Sequence, residues 1–180
     1  MKIKRDQCLA LIIDDQIRLL PSISESALLL QNTGILLQGL RILEVPLLIT
    51  QQYTKGLGMS DPSIFHYAGT EHYLEKRSFS CWGDSEIRRF IQNSGCRQII
   101  LAGIETHICV QQTALDLLEN GYDVILIEDC VSSRKPTDKA TALRRMENAG
   151  VTVTSYGSLL FELMETSLYP RFKEISALVK

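Results

Sequence analysis

Residues 8–13 read Cys8-Leu9-Ala10-Leu11-Ile12-Ile13, an unbroken apolar run that ends abruptly on Asp14 and Asp15. A strand that is apolar at every position needs cover on both faces, which is the mark of a parallel sheet held between helices. The rest of the chain keeps the same rhythm. Val45–Thr50, Gln98–Ala102, Val124–Ile127 and Val151–Thr154 read as further short strands. Ser22–Leu43, Glu86–Asn93, Thr106–Glu119 and Thr137–Asn148 read as the helices between them, with Asp84 and Thr137 as caps. Ser158–Glu165 and Phe172–Val179 read as two terminal helices. Strand–helix alternation of this kind implies right-handed crossovers. Residues 51–83 break the pattern. They are rich in glycine, yet they carry Tyr53, His66, Tyr67, His72, Tyr73, Phe79 and the only tryptophan, Trp82, so they read as a long functional loop.

Composition narrows the function classes. The 180 residues are 45% hydrophobic and 22% charged, with a net charge of −2. One globular domain over residues 1–180 follows as the expectation. No basic excess exists to neutralise a phosphate backbone, which argues against nucleic acid as a partner. The apolar runs are far shorter than the roughly 20 residues of a spanning helix, which argues against a membrane. Asp14 and Asp15 interrupt the first of them, so it does not read as a signal peptide. Five cysteines, odd in number and without a C-x-x-C pair, suggest free thiols in a reducing, cytoplasmic compartment.

In open parallel sheets, ligands bind beyond the carboxyl ends of the strands. Asp14 stands at one such end, where a partly buried carboxylate can accept a proton. Cys109 stands just past another, in the first turn of the helix expected from Thr106. Free N–H groups there would favour a thiolate and could hold an oxyanion. A lone cysteine is equally well a small buried hydrophobe, so position alone leaves both readings open. His107 precedes Cys109 by two residues and would face another side of the helix. His66, His72 and Asp61 match no metal-ligand spacing. Dinucleotide, P-loop and G-x-S-x-G signatures are all missing.

Three ordered motifs then carry a resemblance. Leu11-Ile12-Ile13-Asp14-Asp15-Gln16, Glu75-Lys76-Arg77-Ser78-Phe79-Ser80 and Ala102-Gly103-Ile104-Glu105-Thr106-His107-Ile108-Cys109-Val110 occur at sensible spacing, followed by Glu128-Asp129-Cys130-Val131-Ser132-Ser133-Arg134. In these the chain resembles the isochorismatase-like cysteine hydrolases, and most of all the isochorismatase-domain-containing, YcaC-related group. The resemblance implies an α/β, three-layer αβα fold with a six-stranded parallel sheet, Rossmann-like and doubly wound. It implies a catalytic triad of Asp14, Lys76 and Cys109, with the D-x-Q register selecting Asp14 over Asp15. It implies an oxyanion hole from the backbone N–H groups of Glu105 and Cys109, shaped by a cis peptide between Ile104 and Glu105. It also implies a homo-oligomer.

Two departures refine the expectation. Nicotinamidases carry an Asp-x-His metal pair after the second strand, whereas this chain reads Gln51-Gln52-Tyr53-Thr54, so no metal is expected. Isochorismatases proper lack the nucleophilic cysteine, so Cys109 points to amide or carbamoyl chemistry on a small-molecule substrate. Gln16, Tyr53 and Phe79 are the candidate substrate-binding residues, with core packing the alternative for the two aromatics. No cofactor is implied. The other readings of the same fold are a non-catalytic oligomeric scaffold and a redox sensor built on a low-pKa Cys109.

Overall fold

A computed structural model describes all 180 residues. Six parallel strands form one sheet: β1 (Cys8–Ile13), β2 (Leu47–Gln52), β3 (Tyr73–Lys76), β4 (Gln98–Ile104), β5 (Asp123–Ser132) and β6 (Thr152–Thr154). Their order is β3-β2-β1-β4-β5-β6, so the chain reverses its direction of travel between β1 and β4. That is the doubly wound order, and the reversal opens a crevice at the carboxyl ends of those two strands.

Alternation along β1 divides its side chains between two cores. Ala10 and Ile12 face one layer, built from α1 (Ser26–Ile42), α3 (Pro62–Ala68), α7 (Tyr156–Met164) and α8 (Phe172–Leu178). Leu9, Leu11 and Ile13 face the other, built from α4 (Ser85–Asn93), α5 (Gln111–Glu119) and α6 (Pro136–Ala149). A short α2 (Thr54–Leu57) follows β2. Local chemistry sets several boundaries. Asp84 accepts hydrogen bonds from the N–H groups of Glu86 and Ile87 and so starts α4, which buries Ile87 and Ile91 one turn apart. Gly34 lets α1 approach Tyr67, where a Cβ would come within 2.7 Å of the ring. No helix is long and apolar enough to cross a membrane.

The structure corrects four expectations. The first long helix starts at Ser26 instead of Ser22, because a 3-10 turn at Leu20–Ser22 and a left-handed Glu25 precede it. Residues 51–83 are not one irregular loop: they hold α2, α3, the edge strand β3 and a 3-10 turn at Cys81–Gly83. Thr137 does not cap α6. The helix begins one residue earlier, at Pro136, whose fixed φ and missing N–H suit a first position. Finally, the stretch from Thr106 is not one helix. Thr106–Val110 forms a wide π-type turn, and α5 starts only at Gln111.

Candidate active site

Asp14 breaks the alternation of β1. Continued regularly, the strand would point it into the layer that takes Ala10 and Ile12. Instead its backbone is left-handed, with φ of 56°, and its carboxylate turns to the opposite layer. There Thr50 of β2 donates its hydroxyl to Oδ1 at 3.0 Å, while the Asp14 N–H donates to the Thr50 carbonyl. The neighbouring Asp15 is buried with neither carboxyl oxygen hydrogen-bonded. Burial, then Asp14 and Asp61, push its carboxyl well up and favour the neutral form.

Lys76 ends β3, and its Nζ donates to Asp14 Oδ2 at 2.6 Å, with both side chains fully buried. Gln52 Oε1 at 2.7 Å and the Phe79 carbonyl at 3.0 Å accept further protons of the ammonium. Burial, the largest single influence, would pull the ammonium pKa down, but Asp14 together with the Cys81 and Cys109 sulfurs outweighs it and the group is held above its ordinary range. Lys76 is therefore a cation, and a buried cation of this kind is tolerable only because its protons have acceptors.

Cys109 reaches the same spot from β4. Gly103, opposite Ile13 in the β1–β4 register, has φ of 116°, and a Cβ there would collide with the Ile13 carbonyl oxygen. Only glycine lets the two strand ends run this close. The peptide from Ile104 to Glu105 is cis, and the Glu105 carbonyl accepts from Ile108 and Val110 as the chain enters the π-type turn. Cys109 is buried within that turn. Burial pushes its thiol well above the usual range, the Asp14 carboxylate pushes the same way, and Lys76 pulls it down. This reverses the expectation of a thiolate at a helix N-terminus: Cys109 precedes α5 and rests as a thiol.

Asp14, Glu105 and Cys109 share a cavity of about 150 Å³. Glu105 is fixed by four hydrogen bonds from Arg134, from its N–H, Nε (to both carboxylate oxygens) and Nη2. Burial opposes ionisation of Glu105, but Arg134 wins and holds its carboxyl below the ordinary carboxylate range.

Of the three candidate substrate residues, Phe79 lines this cavity and is 54% exposed at its rim. Gln16 does not line it. Its amide is spent on the carbonyls of Gln52 and Gly58 and on the Gln52 N–H, bracing the turn after β2. Tyr53 also lies elsewhere, its ring under the Arg77 guanidinium at 4.0 Å. His107 is turned to Ser133 at 3.0 Å. No three His, Cys, Asp or Glu side chains converge as metal ligands. Sequence reasoning assigned no role to Thr50, Gln52 and Arg134. The first two lie at the end of an apolar strand and the third closes a quoted motif, but only the fold shows what they hold.

The fold is a doubly wound α/β sheet, with Cys109 and the buried Asp14–Lys76 pair gathered at the carboxyl ends of its strands. The chain belongs to the isochorismatase family, whose isochorismatase domain matches residues 8–157. It is 39% identical over 145 residues to Isochorismatase domain-containing protein 1 of Salmo salar, covering 81% of this chain and 51% of that one. It is 37% identical over 169 residues to Isochorismatase domain-containing protein 2 of Danio rerio, covering 94% and 85%. The chain thus spans about half the length of the first of these relatives. Among solved structures, the MAR1 ribonuclease of Caenorhabditis elegans superposes with a TM-score of 0.93 at 31% identity, covering 99% of this chain and 92% of that one. YcaC of Escherichia coli, described as an octameric hydrolase of unknown specificity, superposes with a TM-score of 0.89 at 21% identity, covering 99% and 87%.

Proposed function

We propose that this chain is a cysteine hydrolase that cleaves a small amide or carbamoyl-type C–N bond without a metal. The observation that carries the reading is that Asp14, ion-paired with the buried Lys76 behind it, shares one cavity with the Cys109 thiol.

Each group has a step. Asp14 takes the thiol proton as the Cys109 sulfur attacks the carbonyl carbon, so proton loss and bond formation are coupled and no standing thiolate is needed. The raised thiol pKa supports this order over a redox sensor, which needs a low one. The N–H groups of Glu105 and Cys109 donate hydrogen bonds to the developing oxyanion. Asp14 then returns the proton to the departing nitrogen, the C–N bond breaks, and a thioester remains. Water attacks the thioester with Asp14 again as base, which frees the acid and restores the thiol. Lys76 holds the Asp14 carboxylate in place between steps and limits the energy of the thiolate.

Ammonia release from a panel of primary amides and ureas, with Cys109→Ala as control, tests the reading. Cys109-dependent release supports it. No turnover together with no acyl adduct on Cys109 by mass spectrometry sinks it. Because one structural neighbour is described as a ribonuclease, an RNA oligonucleotide belongs in the same panel; with a net charge of −2 the expected result there is no cleavage. The structural neighbour YcaC of Escherichia coli is described as octameric, and self-assembly of this chain is proposed by analogy with it. Light scattering on the purified protein checks that point, and a monomeric mass refutes it.

A further inference from the structure

The cavity at Cys109 has a chemical character of its own. Leu19, Leu57, Phe79, Ile104 and Ile108 supply its apolar wall. Its polar groups are already committed to one another. Asp14 is held by Lys76 and Thr50. The Gln52 amide accepts from Lys76 and donates to the Arg77 carbonyl at 2.8 Å. Glu105 and Arg134 form a bidentate pair, with Arg134 half out in solvent at the rim. The charges therefore cancel, Asp14 against Lys76 and Glu105 against Arg134.

A site of this kind has no spare charge to offset the desolvation of an ionic ligand, and it discriminates by size and apolar contact. Its volume is about 150 Å³. A dry cavity of about that volume, lined by Leu, Ile and Phe, takes up benzene. Resting on the amide-hydrolase reading above, we propose that the substrate is an uncharged primary amide whose acyl group is apolar and no larger than a single aromatic ring. The acyl chain lies against Leu57, Ile104 and Ile108, and the carboxamide points at the Cys109 sulfur. Water then splits the amide into the free carboxylic acid and ammonia. The ionised product is poorly matched to the apolar wall, which favours its release.

Ammonia release from acetamide, isobutyramide, benzamide and 3-phenylpropanamide, beside succinamate and β-alaninamide, tests the proposal. The expected kcat/KM rises from acetamide to isobutyramide or benzamide, then falls about tenfold or more for 3-phenylpropanamide, and is lower by a similar factor for both charged amides. Leu57→Ala, which enlarges the wall, is expected to shift the preference towards 3-phenylpropanamide by about tenfold. If that variant does not fold, the size series on the unaltered protein decides alone. Cys109-dependent turnover that favours succinamate or β-alaninamide, or that treats charged and apolar amides alike, overturns the proposal and leaves the hydrolase reading standing. No turnover of any amide and no adduct on Cys109 overturns both.

Discussion

Nζ of Lys76 lies 2.6 Å from Oδ2 of Asp14 although their strands do not touch. Strand β2 runs between β3 and β1, and its Thr50 hydroxyl holds the other carboxylate oxygen. The pair therefore bridges from the sheet edge to the centre and fixes the carboxylate in one orientation. Removing one partner leaves the other charge buried alone, at a cost of about 3–5 kcal/mol. Lys76→Met should lower stability by about that amount in urea unfolding. Adding Asp14→Asn should restore much of it, without restoring activity. A Lys76→Met protein as stable as the parent would mean the pair is not buried in solution.

Cys109 answers to two opposed charges. Asp14 raises its pKa and Lys76 lowers it. Near pH 8, Asp14→Asn is therefore expected to speed alkylation of Cys109 by iodoacetamide while abolishing turnover. Lys76→Met is expected to slow alkylation. Site-resolved mass spectrometry reads both, and slower alkylation in Asp14→Asn would refute the charge assignment.

Buried thiols give the fold an alkaline limit. Burial pushes Cys81 up to about 11 and Cys8 up to about 12. Unfolded thiols ionise near pH 8.5. The folded state thus binds more protons above that value. Each thiol's contribution is complete below it and is lost as pH rises through about 11 for Cys81 and about 12 for Cys8. The expected slope is up to about 1.4 kcal/mol per pH unit for each thiol. Urea midpoints measured upward from pH 8 should fall, and Cys81→Ala should flatten the decline. An unchanged slope in that variant would show that Cys81 ionises as easily folded as unfolded.

Asp15 works in the opposite range. Its carboxyl pKa is raised, so the unfolded chain loses this proton near pH 4 while the folded chain keeps it. Stability is lost as pH rises through the folded value. Asp15→Asn, neutral at every pH, should raise the urea midpoint near pH 7 and change it little near pH 4. A lower midpoint near pH 7 would contradict a neutral Asp15.

Gly103→Ala should be among the most damaging small substitutions. The added Cβ meets the Ile13 carbonyl, and φ of 116° disfavours any side chain. A loss of roughly 3 kcal/mol or more is expected in urea unfolding. A mild loss would mean the β1 and β4 ends can separate.

Much of this was legible in the sequence because apolar runs and caps are local signals. The run from Cys8 fixes a doubly covered strand, and Asp84 announces α4. Asp61-Pro62 and Gly69 also bound α3 as cap, first turn and stop, but a seven-residue helix among aromatics reads as loop. Strand β3 is only Tyr73-Leu74-Glu75-Lys76, half charged and at the edge, so its sequence carries little strand signal. The left-handed turn at Asp14 and the π-type turn at Cys109 have no local signature. Both depend on strands drawn together across the sheet. For the same reason Gln16 and Tyr53, near the site in sequence, hold the turn after β2 instead of entering the cavity.

Strand β5 follows two registers. Leu126 lies opposite Leu101 and Val131 opposite Gly103, so β5 takes five steps where β4 takes two. The surplus at Glu128–Cys130 is a bulge that its neighbours pin: Asn32 donates to the Asp129 carbonyl, the Tyr156 N–H donates to the Asp129 carboxylate, and Cys130 is fully buried. Beyond it β5 pairs with β4 again, Val131 opposite Gly103 and Ser132 opposite Ile104, and so delivers Arg134 to Glu105. The hold of Arg134 on Glu105 at the cavity rim therefore comes after an irregular step in the sheet, and the rim is set by how that one bulge is held.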